Sequence, residues 1–169
     1  MTGSPSPPAD DPARVTIAVL TISDGVSRGE REDLGGPAAA ELVAPLGDIV
    51  AREVVPDDRS AIEATLFRYC ERDVRLVLTT GGTGLGPRDV TPEATRAVIE
   101  REVPGLAEAM RSASLAKTPL AMLSRGVGGA RGRTLIVNLP GSPKGVRECL
   151  EVVLPVLSHA AHIMLGGGH

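Results

Sequence analysis

Aromatic side chains are nearly missing from this 169-residue chain: it has no Trp, one Phe and one Tyr, at Phe67 and Tyr69. Recognition of single-stranded nucleic acid by stacked bases needs aromatic platforms, so that class is excluded. The core must instead be built from Val, Ile, Leu and Ala. Cysteine is scarce too. Cys70 and Cys149 are too few for a disulfide framework or a zinc site, and both fall in helical-looking segments as buried thiols. No apolar run approaches the ~20 residues of a membrane span. Eighteen basic residues against 21 acidic ones leave a net charge of −3, which gives no electrostatic reason to bind nucleic acid or an anionic membrane. The opening MTGSPSPPADDPA lacks the basic start and apolar stretch of a signal peptide, which points to the cytosol. Only two lysines occur, Lys117 and Lys144. Without a Gly-Lys pair there is no Walker loop, and the Gly-x-Gly-x-x-Gly dinucleotide fingerprint is missing as well.

The length suits one domain. Residues 1–13 are rich in Pro, Ser, Ala and Asp and read as a disordered tail, and 166–169 as a flexible end. The body, 14–165, alternates apolar runs with helical patterns. Strands are expected at Val15–Ile22, Ile49–Val55, Val74–Thr80 and Arg133–Asn138. Helices are expected at Gly36–Leu46, Asp57–Arg72 (with Ser60 and Glu63 spaced as a capping box), Thr91–Glu102 (Thr91 as N-cap), Pro104–Lys117 and Pro143–Leu165, where Pro155 is a candidate kink. Residues 119–125 carry no decisive pattern, and Gly126–Gly132 suits a hairpin. Such alternation predicts an α/β fold, a mostly parallel sheet covered by helices on both faces. Ligands of such folds bind beyond the carboxyl ends of the strands. Ser23-Asp24-Gly25, Pro56-Asp57, Thr80-Gly81-Gly82-Thr83-Gly84 and Asn138-Leu139-Pro140-Gly141-Ser142 all fall there.

The glycine segment is the most informative. Glycines after a strand let backbone N–H groups approach an anion, and Thr hydroxyls add donors. Arg88 offers a charge-assisted phosphate contact, and Asp89 a ligand for hydrated magnesium. The alternative is a tight turn in which Asp89 caps locally. Ser142 and Lys144 flank a helix start, which reads either as an anion site or as a plain N-cap. Asp24 and Asp57 each follow a strand and suit either loop capping or a magnesium–nucleotide site. His159 and His162 lack a third ligand, so no metal site is read there.

Taken in order, Thr21-Ile22-Ser23-Asp24, Val55-Pro56-Asp57, the glycine segment, Arg88-Asp89-Val90-Thr91-Pro92-Glu93-Ala94-Thr95, Met122-Leu123-Ser124-Arg125 and Leu139-Pro140-Gly141-Ser142-Pro143-Lys144 form a set. The set resembles the MogA/MoaB family of molybdenum-cofactor biosynthesis, itself similar to the gephyrin G domain. The resemblance implies a three-layer α/β/α sandwich assembled as a homotrimer. It implies molybdopterin adenylyltransfer: the terminal phosphate of molybdopterin attacks the α-phosphate of ATP, with Mg2+ assisting, and pyrophosphate leaves. The product would pass to a molybdate-inserting enzyme. Asp57 and Asp89 match the family's two functional acids, as catalytic residues and metal ligands. Ser23, Asp24, Gly81, Gly82, Thr83, Gly84, Ser124, Pro140, Gly141 and Ser142 match its substrate-binding positions. Gly35 stands where the family often has serine, and is left out of that set. The competing reading is a non-catalytic molybdopterin carrier using the same pocket. Molybdate insertion and nicotinamide chemistry fit the length and the Asp-Val-Thr-Pro block less well.

Overall fold

The computed structural model describes residues 14–167; the expected tail at 1–13 and the final residues 168–169 lie outside them. Six strands form one sheet in the order β2-β1-β3-β6-β5-β4. β1 (Val15–Ile22), β2 (Gly47–Val55), β3 (Leu76–Thr80) and β6 (Thr134–Leu139) are mutually parallel. β5 (Gly128–Arg131) folds back on β6 as the expected hairpin, and the two-residue β4 (Arg101–Glu102) pairs antiparallel with it.

The period-two alternation of the strands sorts the core into two layers. Ile17, Val19, Leu76, Leu78, Leu135 and Val137 face one side, under α2 (Gly35–Val43), α5 (Pro104–Leu115) and α6 (Pro143–Ile163). Ala18, Leu20, Ile22, Val77 and Ile136 face the other, under α3 (Arg59–Glu71) and α4 (Thr91–Val98). Strands covered on both faces have no reason to alternate with polar residues, which explains the near-continuous apolar runs. The three-layer α/β/α sandwich is as expected. A short α1 (Asp24–Ser27) follows β1 directly, and Pro119–Leu123 forms 3-10 turns.

Several local expectations change. Asp58, not Ser60, caps α3: its carboxylate accepts from Ala61 N–H at 2.8 Å. Thr91 is inside α4, not its N-cap, because its hydroxyl is spent on the Gly81 carbonyl at 2.9 Å. α4 stops at Val98, since the Glu100 N–H turns to the Ala130 carbonyl and the chain joins the sheet edge. α6 runs unbroken through Pro155. Cys149 is buried, but Cys70 is only half-buried. Gly166 and Gly167 close the end of α6 through N–H bonds to the Ile163 and His162 carbonyls. Among the described residues no helix is long and apolar enough to cross a membrane.

Tyr69 is fully buried, and its hydroxyl donates to Glu53 at 2.7 Å beside the Arg68 fork at 2.8 and 3.0 Å. Arg68, ahead of Tyr69, holds the Glu53 carboxyl below its ordinary range. The cluster's stabilisation is therefore complete at neutral pH and lost as pH falls through that lowered value. Tyr69→Phe should cost about 1–3 kcal/mol. Urea midpoints at neutral pH check the figure; an unchanged midpoint would show that Arg68 alone satisfies Glu53.

Candidate active site

At the carboxyl ends of the parallel strands two cavities flank the glycine segment. The first, of about 520 Å³, opens where β1 and β3 meet. There the connections leave for opposite sides of the sheet, the usual ligand position in doubly wound folds. Ser23 enters it from β1, Asp57 from β2, and Gly81 and Gly82 from β3. Gly141 and Ser142 enter from β6, and Asp89 reaches in from the loop before α4. The second cavity, of about 450 Å³, lies under α5, the 3-10 turns and the start of α6. It takes Thr83, Gly84, Ser124 and Pro140, and it shares Ser142 with the first. The expected residues thus converge on one edge but divide between two chambers. Asp24 lines neither.

The acids differ in their surroundings. Asp24 and Asp57 clasp the ends of β1 and β2: each backbone N–H donates to the other's carboxylate, at 2.8 and 3.0 Å. Asp24 also receives the Arg88 fork, both bonds at 3.0 Å. That pairing lowers its carboxyl below the ordinary range. It also spends the guanidinium that the sequence offers to phosphate. Burial, followed by the like charges of Asp24 and Asp89, raises the Asp57 carboxyl. Asp89 Oδ2 accepts from the Gly86 N–H at 2.9 Å, so it does cap its own loop while facing the first cavity. Among the described residues no three His, Cys, Asp or Glu groups stand together as a metal cluster. Two carboxylates suffice for Mg2+ that arrives on phosphate oxygens and keeps its waters. Four acids line this cavity; Asp33 is held by Thr21 and Gly36, Glu32 stands at its rim, and Asp57 and Asp89 flank the glycine segment as oxygen donors, so the donor set fits.

The glycine segment is held by protein on both sides. Gly81 and Gly82 have φ of 94° and 68°. The Gly81 N–H donates to the Leu139 carbonyl at 3.1 Å, so this amide serves the β3–β6 junction and not an anion. Ser142 caps α6 by accepting from Gly145 N–H at 3.1 Å. The second cavity has a cationic rim. The only two lysines, Lys117 and Lys144, approach one carboxylate, Glu148, at 3.5 and 3.9 Å. Arg111 donates to the Gly126 carbonyl at 2.9 Å. Cys149 also lines this cavity, and burial pushes its thiol up, away from reactivity.

Sequence reasoning missed three supports. Asp33 accepts from the Thr21 hydroxyl at 2.8 Å and the Gly36 N–H at 2.9 Å, seating α2 beside the first cavity. An Asp three residues before a helical Gly was the available signal. Buried Asn138 donates to Thr79 and Thr95 at 2.9 and 3.0 Å and accepts from Val127 N–H at 3.1 Å. A lone Asn ending an apolar strand marks such a network only in retrospect. The third is Arg125, which stands in the motif set but has no role assigned to it there. A Cβ at Gly35 would stand 2.9 Å from the Gly141 carbonyl, so the two loops close up here because no side chain intervenes.

The model of a family described as "Probable molybdopterin binding domain" matches residues 18–159. The chain is 45% identical over 156 residues to molybdopterin adenylyltransferase of Helicobacter pylori strain J99, covering 90% of this chain and 89% of that one. It is 47% identical over 143 residues to the Escherichia coli K12 protein of the same name, covering 81% and 72%. Among solved structures it resembles the molybdopterin biosynthesis enzyme MoaB of Thermus thermophilus, with TM-score 0.85, 55% identity and coverage of 90% and 97%. With the match spanning β1 to α6 and both chambers, the chain belongs to the molybdopterin-binding domain family of molybdenum-cofactor biosynthesis.

Proposed function

We propose that this chain is a molybdopterin adenylyltransferase, moving AMP from Mg-ATP to the terminal phosphate of molybdopterin. The observation that carries the reading is the pair of chambers that share Ser142 across one glycine loop. One chamber per ligand brings two phosphates to a common rim. The acid-lined chamber takes the metal-bearing polyphosphate, with Asp57 and Asp89 as the residues that would hold Mg2+. The metal would neutralise charge on the phosphates. The second chamber, walled by Met110 and Leu123 and rimmed by cations, suits an anionic ring compound held by aliphatic contacts.

A phosphate oxygen of molybdopterin attacks the α-phosphorus of ATP, the P–O bond to the β-phosphate breaks, and pyrophosphate leaves. The nucleophile belongs to the substrate, so the protein needs only to position and to balance charge. Ser23, Thr83, Ser124 and Ser142 supply hydroxyls, and the turns at Gly82, Gly84, Pro140 and Gly141 let ligand approach backbone. Asp24 acts through its clasp on Asp57. In this reading the protein is a cytosolic homotrimer that delivers its product to a molybdate-inserting enzyme.

An anaerobic assay with molybdopterin and Mg-ATP, following pyrophosphate and adenylylated pterin, tests it. Product should require both substrates and vanish when EDTA removes Mg2+. Tight molybdopterin binding without product would make the chain a carrier.

A further inference from the structure

Arg125 belongs to the motif set but lines neither chamber, and each of its three guanidinium nitrogens bonds to protein. Nε donates to the Gly84 carbonyl and Nη2 to the Asp89 carbonyl, each at 2.7 Å. Nη1 pairs with Glu93 in the first turn of α4. The Arg125 backbone N–H donates to the Thr83 carbonyl at 2.8 Å. One residue thus holds both ends of the loop from Thr83 to Asp89. The preceding residue, Ser124, faces the second chamber, and the following one, Gly126, leads to the Asn138 network.

We infer that Arg125 is a positioning residue for the transfer reaction. It staples the 83–89 loop so that Asp89 faces the first chamber while Thr83 and Gly84 face the second. The inference rests on the transferase reading. The planar fork is essential: two carbonyls five residues apart and a carboxylate lie in three directions, which one guanidinium can satisfy and a lysine point charge cannot. Glu93 orients the fork. Its Oε2 is buried without a partner, so Arg125 is what justifies a carboxylate here. Without the staple, Asp89 keeps its bond to Gly86 and Arg88 its fork on Asp24, but the Gly84 and Asp89 carbonyls lose their anchor and that part of the turn can shift. Misplacement by about 1 Å is enough to cost on the order of 10²-fold in rate.

The test uses Arg125→Ala, Arg125→Lys and Glu93→Gln, each checked for an intact thermal transition. For Arg125→Ala the expected result is a kcat lower by about 10²-fold with KM for Mg-ATP changed less than about threefold. Arg125→Lys should be nearly as impaired, and Glu93→Gln intermediate. Guanidinium ion, added well below denaturing concentration, should restore part of the kcat of Arg125→Ala and none of Arg125→Lys. Wild-type kcat in Arg125→Ala, or full recovery in Arg125→Lys, overturns the inference. Amide hydrogen exchange separates it from the transferase reading. Faster exchange at residues 83–89 in Arg125→Ala, with β1 and β3 unchanged, supports the staple even if the wild-type protein makes no product. Unchanged exchange in the loop refutes the staple even if the enzyme is active.

Discussion

Asp57→Asn should lower AMP transfer by about 10²–10³-fold, the range for removing one preorganised electrostatic group, while leaving the protein at least as stable as wild type at neutral pH. The substitution keeps one acceptor oxygen for the Asp24 N–H, removes the charge and turns the other oxygen into an NH2 donor. Burial raises the wild-type carboxyl, and the neighbouring charges of Asp24 and Asp89 add to that. The folded protein therefore keeps this proton to higher pH than the unfolded chain does. Stability from the protonated group is complete below the unfolded value of about 4 and lost as pH rises through the raised folded value. Asn has no such titration, so the variant should gain on wild type between pH 4 and pH 7. Urea midpoints at both pH values and single-turnover transfer at pH 7 check the two halves. A variant destabilised at pH 7 would make Asp57 a structural clasp; undiminished transfer would remove it from the chemistry. Asp89→Asn should also lower transfer by about 10²-fold, provided its amide oxygen keeps the bond to Gly86.

The second large effect lies in the glycine turn. At Gly81, φ is 94° and a Cβ would stand 2.3 Å from the Ile22 carbonyl oxygen. Alanine there must adopt a left-handed backbone, costing about 1–2 kcal/mol, and push β1 from β3, costing about 1–3 kcal/mol more. Gly81→Ala should therefore lose about 2–5 kcal/mol, read as a fall in the urea midpoint. At Gly82, φ is 68° and a Cβ would meet Thr91 Oγ1 at 2.3 Å and Asp57 Oδ1 at 3.2 Å. On a loop where backbone approaches an anion, a side chain is expected to block the ligand. The structure shows that it would strike Thr91 and Asp57 first. Gly82→Val should abolish transfer by displacing Asp57, with detectable loss of stability. A stable Gly82→Val protein with normal turnover would mean that the turn adapts and that Asp57 tolerates movement.

β1, β3 and β6 were legible because each is apolar on both faces, and the edge strand β2 by its β-branched Ile49, Val50, Val54 and Val55. The segments that end them were legible because loops at that edge carry the polar and glycine residues. What escaped detection depends on contacts between distant segments. Ser60 with Glu63 matched a cap pattern, yet Asp58 precedes it and has the free carboxylate. Thr91 before Pro92 read as a cap, yet the glycine loop folded over it and took its hydroxyl. Arg88 has the chemistry for phosphate and Asp24 that for a ligand, but only the fold puts them 3.0 Å apart. The division of the site residues between two chambers follows from the packing of α5 and the 3-10 turns, segments where the pattern was weakest.

β6 is the last strand in the chain and one of the central strands of the sheet, between β3 and β5. On the ribosome, residues 14–80 can pair β2, β1 and β3 early, because those contacts join neighbouring segments. The outer edge of β3 then waits, with its backbone unpaired, until residue 139 has been made. That edge, along Leu76, Val77 and Leu78, offers unpaired strand backbone to other chains. The same late insertion brings Leu139 to Gly81 and Ser142 to both chambers. A prematurely terminated chain therefore carries most of the site residues but lacks the segment that joins the two chambers, and release of such a fragment should lead to aggregation or proteolysis instead of a half-active protein.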